Sequence, residues 1–120
     1  MNQTNDATEI AADIDTAAFE HEVLSESARI PVIVDFWAPW CAPCRTLTPL
    51  LEREAHAAVA SGKLRLVKVN LDANPELHRR YRIRGVPDVR VFKNGEEADS
   101  FTGVPATETL RAFVARWSGA

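Results

Sequence analysis

The chain has 120 residues, 46% of them hydrophobic and 26% charged, with a net charge of −3. That describes one globular domain with enough apolar content for its own core, and no stretch nears the ~20 apolar residues of a membrane helix. The acidic balance, with a pI near 5.6, argues against a general binder of nucleic acid or anionic membrane.

Residues 1–7 are polar and read as a disordered tail, leaving 8–120 as the domain. Met1 to Ile10 lacks the basic start and apolar core of a signal peptide, which points to the cytoplasm. Residues 10–14 suit a short edge strand. Asp15 or Thr16 can cap a helix carrying Phe19, Val23 and Leu24 on one face. The run 31–37 is apolar and β-branched, as in a central strand buried on both sides. The next helix starts at Cys41-Ala42-Pro43-Cys44, with Cys44, Leu47, Leu51, Ala55 and Ala58 as its inner stripe. Pro49 lies inside that stripe and should kink the helix; Ser61-Gly62 ends it.

Residues 63–71 alternate as a strand. Asn74-Pro75-Glu76 places a cap, a first-position proline and a first-turn acid, opening a short helix that runs to about Tyr81. Residues 87–92 and 97–103 form two strands around Lys93-Asn94-Gly95, a strong hairpin signal. Leu110, Phe113, Val114 and Trp117 mark the last helix. The order β-α-β-α-β-α-β-β-α implies a mixed sheet with helices on both faces.

Cys41 and Cys44 are the only cysteines. Two residues apart, where a buried strand gives way to a helix, they favour redox chemistry. Zinc, a structural disulfide and inert buried thiols are the competing readings. Zinc wants four ligands, and His56 and His78 are too far apart to supply a close pair. A reducing cytosol disfavours a structural disulfide.

Several separated segments, in order, resemble the thioredoxin family. They are Val34-Asp35-Phe36-Trp37-Ala38-Pro39-Trp40-Cys41-Ala42-Pro43-Cys44, Lys68-Val69-Asn70-Leu71-Asp72 with Asn74-Pro75, Tyr81-Arg82-Ile83-Arg84-Gly85-Val86-Pro87, and Phe92-Lys93-Asn94-Gly95. The likeness spans roughly residues 8–118. It implies the thioredoxin fold, an α/β architecture with a central mixed five-stranded sheet flanked by four helices. It also implies a protein dithiol–disulfide oxidoreductase acting in cell redox homeostasis and electron transport. Protein disulfides are its expected substrates. No cofactor is bound; a separate reductase supplies reducing equivalents from NADPH. A monomer is expected, with no nucleic-acid or membrane partner.

Within that frame Cys41 is the nucleophile, at a helix N-terminus that favours an anion, and Cys44 resolves the mixed disulfide. Asp35 sits in an otherwise apolar strand on the face of Ile33 and Trp37. Burial raises a carboxyl pKa, so Asp35 is a candidate proton carrier for Cys44, or else a hydrogen-bonded structural group. Lys68 shares a face with Leu64 and Leu66 and can pair with Asp35 and tune it, or reach solvent along its stem. The resemblance makes Pro87 a cis proline, with the Val86 backbone pairing an extended substrate. Trp40, Pro43, Val86, Pro87, Gly103 and Val104 should form a small, flat apolar substrate surface around Cys41. Trp37 can be core support.

Three features depart from the pattern or distract from it. Ala42 replaces the common glycine, and with Pro43 it tunes the redox potential. Asp88 and Arg90 follow Pro87 where a threonine and aliphatics are usual; they share a strand face and either pair with each other or alter the site's charge. The basic run His78-Arg79-Arg80-Tyr81-Arg82 with Arg84 fits a solvated helix face better than nucleic-acid binding. His21, His56 and Trp117 carry no expected chemistry. Two other functions stay open at this point: a thioredoxin-fold chaperone or scaffold module, and a more oxidising oxidase or isomerase.

Overall fold

The computed structural model describes residues 10–119. The expected tail at 1–7 lies outside them. The strands are β1 (Ala12–Asp13), β2 (Val32–Trp37), β3 (Arg65–Asn70), β4 (Asp88–Lys93) and β5 (Glu96–Thr102). They form one sheet in the order β1-β3-β2-β4-β5. β3 runs parallel to β1 and β2, while β4 runs antiparallel to β2 and β5. The mixed five-stranded sheet is therefore as the sequence implies.

The helices are α1 (starting at Thr16–Phe19), α2 (Ala42–Ala60), α3 (Pro75–Arg80) and α4 (Thr107–Trp117). Alternation along the strands sorts side chains onto two faces. On one, Ile33, Leu66, Val89 and Val91 pack against Leu47, Leu51 and Ala55 of α2 and Leu110 and Phe113 of α4. On the other, Val34, Phe36, Val67, Val69 and Phe92 pack against Phe19 and Val23 of α1 and Leu77 of α3. Asp35, between Ile33 and Trp37, is thereby directed to the α2 side.

Some local details differ from the sequence pattern. α1 starts as expected, with the Asp15 carboxylate accepting from Ala18 N at 2.9 Å. It then widens into a π turn at Glu20–Ser25 and tightens to a 3-10 turn at Glu26–Ala28. This brings Ser27 inward, where its hydroxyl donates to the Leu24 carbonyl and accepts from Gly95 N. The α1 end is thus pinned to the β4–β5 turn. That turn is tight because Asn94 and Gly95 both adopt positive φ, 55° and 79°, as a two-residue hairpin of this twist requires.

α2 continues through Pro49 without ending. Asn74 precedes α3, but its side chain makes no cap bond. Its Oδ1 instead accepts from the Thr16 amide and hydroxyl at 2.8 and 3.0 Å, and its Nδ2 donates to the Asn70 carbonyl. A buried amide facing a neighbouring helix start satisfies that helix's free donors rather than its own.

Candidate active site

β2 ends at Trp37, and the chain turns through Ala38-Pro39-Trp40 into α2. Cys41 is the helix N-cap. Its Sγ accepts from the Cys44 amide at 3.1 Å. A sulfur in this place sits at the positive end of the helix dipole, beside free N–H groups that stabilise a thiolate. Cys41 and Cys44 are joined in a disulfide, with Cα atoms 5.3 Å apart. Both are almost wholly buried, and they cluster with Ala38, Trp37 and Val86. The intervening Ala42 and Pro43 are exposed.

One helical turn beyond Cys44 is Thr48, whose hydroxyl donates to Asp35 Oδ2 at 2.7 Å. Asp35 is only 1% exposed, and its Oδ1 has no hydrogen-bond partner among the described residues. Burial pushes its pKa up from 3.8 to about 6, against the opposing pull of the Thr48 hydrogen bond and the positive charge of Lys68. The carboxyl is therefore poised to exchange a proton near neutral pH. An open cavity of about 630 Å³, lined by Asp13, Trp37, Cys44, Thr48 and Lys68 among others, brings solvent to this side of the pair.

Lys68 lies directly across from Asp35 in the β2–β3 register. The ion pair expected between them is replaced by others. Its ammonium sits 3.8 Å from Asp13 and 3.9 Å from Glu52, and Asp35 feels it as a nearby charge. The long stem carries the ammonium past its strand neighbour toward carboxylates that keep contact with water. Asp13 also accepts from the Trp37 indole at 3.0 Å, so Trp37 is part of this polar margin as well as packing against the cysteines. Four participants were not expected from sequence: Thr48, Glu52, Asp13 and the polar side of Trp37. The signal for two of them is the spacing Cys44, Thr48, Glu52, every fourth residue on one face of α2.

The opposite side of the pair is formed by the loop before β4. The Val86–Pro87 peptide is cis. Val86 is half-buried against the cysteine cluster, whereas Pro87 is buried and contributes little open surface. Gly103 N donates to the Pro87 carbonyl at 3.0 Å, and a φ of 76° at Gly103 allows the chain to turn there, a conformation that suits glycine. Val104 follows. Among the described residues Trp40 and Val104 are the large apolar side chains most open to solvent, at 68% and 40%, with the Trp40 indole donating to Asp72 Oδ1 at 3.3 Å. Of the residues expected in the apolar surface, Trp40, Pro43 and Val104 are exposed, Val86 and Gly103 are half-buried and Pro87 is buried.

Asp88 and Arg90 do pair. Arg90 Nε and Nη2 engage the two Asp88 oxygens at 2.9 and 3.1 Å. Its Nη1 also bonds the Tyr81 carbonyl and Glu97. They face the α1–α3 side of the sheet, away from Asp35. His78, Arg79 and Arg80 are exposed on α3, and Arg82 and Arg84 are exposed in the loop that follows. Trp117 packs against the α2–α4 core and donates to Asp99 at 2.8 Å.

A disulfide-bonded Cys-x-x-Cys at a helix N-terminus, over a buried carboxyl and beside a cis-proline loop, defines a dithiol–disulfide oxidoreductase that works through its cysteine pair and needs no bound cofactor. The comparisons agree. The thioredoxin family model matches residues 10–116. The chain is 42% identical over 105 residues to a thioredoxin of Rickettsia bellii, covering 88% of this chain and 96% of that protein. It is 43% identical over 101 residues to thioredoxin 1 of Synechococcus elongatus, covering 84% and 91%. It is 40% identical over 115 residues to the chloroplastic thioredoxin M4 of Arabidopsis thaliana, covering 89% of this chain and 58% of that one. The chain belongs to the thioredoxin family. Its activity is protein-disulfide reduction, with protein disulfides as the general substrate class and a reductase as the general partner. Among the described residues no helix is long and apolar enough to cross a membrane.

Proposed function

We infer that reduced Cys41 attacks one sulfur of a client protein's disulfide and Cys44 completes the exchange. In the first step the Cys41 thiolate forms a new S–S bond, and the client's other sulfur leaves as a thiolate and takes up a proton. In the second, Asp35 accepts the Cys44 proton. The Cys44 thiolate then attacks Cys41 Sγ, and the second client thiolate departs. Two electrons pass to the client, and the pair ends as the Cys41–Cys44 disulfide. The observation that carries this reading is Asp35, a buried carboxyl near pKa 6 reaching α2 one turn below Cys44 through Thr48. At neutral pH it is mostly ionised and ready to take a proton.

Lys68 acts through Asp35: its charge limits how far burial raises the carboxyl. Trp40, Pro43, Val86 and Val104 contact the client as a flat apolar face, with Pro87 and Gly103 fixing the loops that present it. The Val86 backbone pairs with an extended client segment. Ala42 and Pro43 set the potential. Residues 8–120 work as one monomeric cytoplasmic domain, recycled from NADPH through a separate reductase, in electron transport and cell redox homeostasis. The test is the reduction of insulin disulfides with a fixed supply of dithiothreitol. Wild type accelerates the reaction; equal rates for wild type and Cys41→Ser would end the assignment.

A further inference from the structure

The loop from Tyr81 to Pro87 borders a second groove, on the side of Val86 away from the cysteines. Arg82, Arg84, Val86, Asp88, Arg90 and Gly103 are among the residues that line it. Val86 belongs both to this groove and to the cysteine cluster, so the groove continues the surface on which the exchange reading places the client.

The groove's charge is not what its composition first suggests. Its one carboxylate, Asp88, has both oxygens occupied by the Arg90 fork. Asp88 is buried and Arg90 is mostly covered, and Arg90 is further held by Glu97 and the Tyr81 carbonyl. This pair forms a neutral, fixed floor. Arg82 and Arg84 on the rim are exposed and have no ion-pair partner among the described residues. Arg82 also adopts a φ of 53°, a left-handed conformation that resists side chains other than Gly, Asn and Asp. The local charge stands out from the chain: residues 78–90 hold five arginines and one aspartate, a balance of +4, against −7 for the rest of a −3 chain.

We propose that this groove is a subsite for acidic client segments, in which Arg82 and Arg84 bind carboxylates flanking the disulfide that Cys41 attacks. It rests on the exchange reading and adds a substrate class to it. A segment paired with the Val86 backbone and running away from Cys41 would pass over the rim, where two unpaired guanidinium groups await carboxylates. The excess negative charge elsewhere on the chain disfavours such segments at other places, so the preference is local.

The test uses two synthetic peptides, each closed by one disulfide and flanked on both sides by three residues. One carries Glu-Asp-Glu in those flanks and the other Gln-Asn-Gln. Reduction rates are divided by those with dithiothreitol alone, which removes differences in intrinsic reactivity. For wild type at low ionic strength, the acidic peptide is expected to show about a fivefold higher kcat/KM, expressed in KM and fading toward unity at high salt. The ratio should collapse in the Arg82→Gln/Arg84→Gln double variant and return in Arg82→Lys/Arg84→Lys. If the neutral peptide is reduced but the acidic one is no better, the subsite is wrong and the reductase reading stands. A ratio unchanged in the glutamine double variant also overturns it. If neither peptide is reduced, the underlying reading fails first. Competition by a single-stranded oligonucleotide, without any acidic preference, would reassign the arginines to nucleic acid and overturn the proposal.

Discussion

Replacing Asp35 with asparagine should stabilise the fold at neutral pH while slowing the reaction. In the folded chain the carboxyl titrates near 6 rather than 3.8 because burial disfavours its charge. The folded state thus holds this proton more tightly than the unfolded chain does. That contribution is fully present below pH 3.8 and is lost as pH rises through about 6. At ~1.4 kcal/mol per pH unit, the loss is about 3 kcal/mol. Asparagine has no charge to bury. Its Oδ1 can keep the Thr48 bond, while its NH₂ falls where Asp35 Oδ1 has no partner, at a cost of about 1 kcal/mol. The variant should therefore be about 2 kcal/mol more stable than wild type at pH 8 and no more stable at pH 4. The difference between the two pH values, about 2 kcal/mol because the unfolded carboxyl is already partly ionised at pH 4, does not depend on the amide's cost. Urea unfolding of the oxidised proteins measures it; with a slope of about 2 kcal/mol/M, the midpoint gap should open by about 1 M between pH 4 and pH 8. A gap that stays constant across this range would refute the buried, proton-holding carboxyl.

Further outcomes follow from the same geometry. Thr48→Ala removes the only side-chain hydrogen bond that Asp35 accepts among the described residues, so the Asp35 pKa should rise further, read as a matching shift in the pH profile of insulin reduction. Lys68→Met removes a charge that lowers the Asp35 pKa and should move that profile in the same direction. Arg90→Leu leaves the buried Asp88 carboxylate without its fork and should cost about 3 kcal/mol in urea unfolding; adding Asp88→Thr should recover most of it, and a failure to recover would mean that Arg90 acts through Tyr81 and Glu97 instead. Leu51→Ala, fully buried in the α2–α4 core, should cost about 2–5 kcal/mol by the same measurement.

Element types and order were legible because period-2 and period-3.6 patterns are strong here, as in β2 and α4, and the Asn94-Gly95 turn announces its geometry. Asp35 was legible as an oddity, one acid in an apolar strand. What escaped were side-chain choices that depend on distance across the fold. Asn74 carries every mark of a helix cap, yet its amide serves Thr16, because two helix starts meet there. Lys68 stands opposite Asp35 in register, but a flexible stem of four carbons leaves its partner undetermined by strand position alone. Thr48 gives no sequence signal by itself, since a threonine in a helix is ordinary; only its spacing from Cys44 marks it. The π and 3-10 turns after Phe19 lie in a segment whose apolar pattern fits a plain α-helix equally well. Strand alternation put Asp88 and Arg90 on one face and left their pairing as one of two readings, whereas the third and fourth partners, Tyr81 and Glu97, required the folded loop.

The division of labour within the cysteine pair is most directly tested by trapping. A Cys44→Ser variant, mixed with a disulfide-bonded client and analysed by non-reducing gel and peptide mass mapping, should accumulate a mixed disulfide through Cys41. Stable adducts through Cys44 in Cys41→Ser, with none in Cys44→Ser, would contradict Cys41 as the attacking thiol.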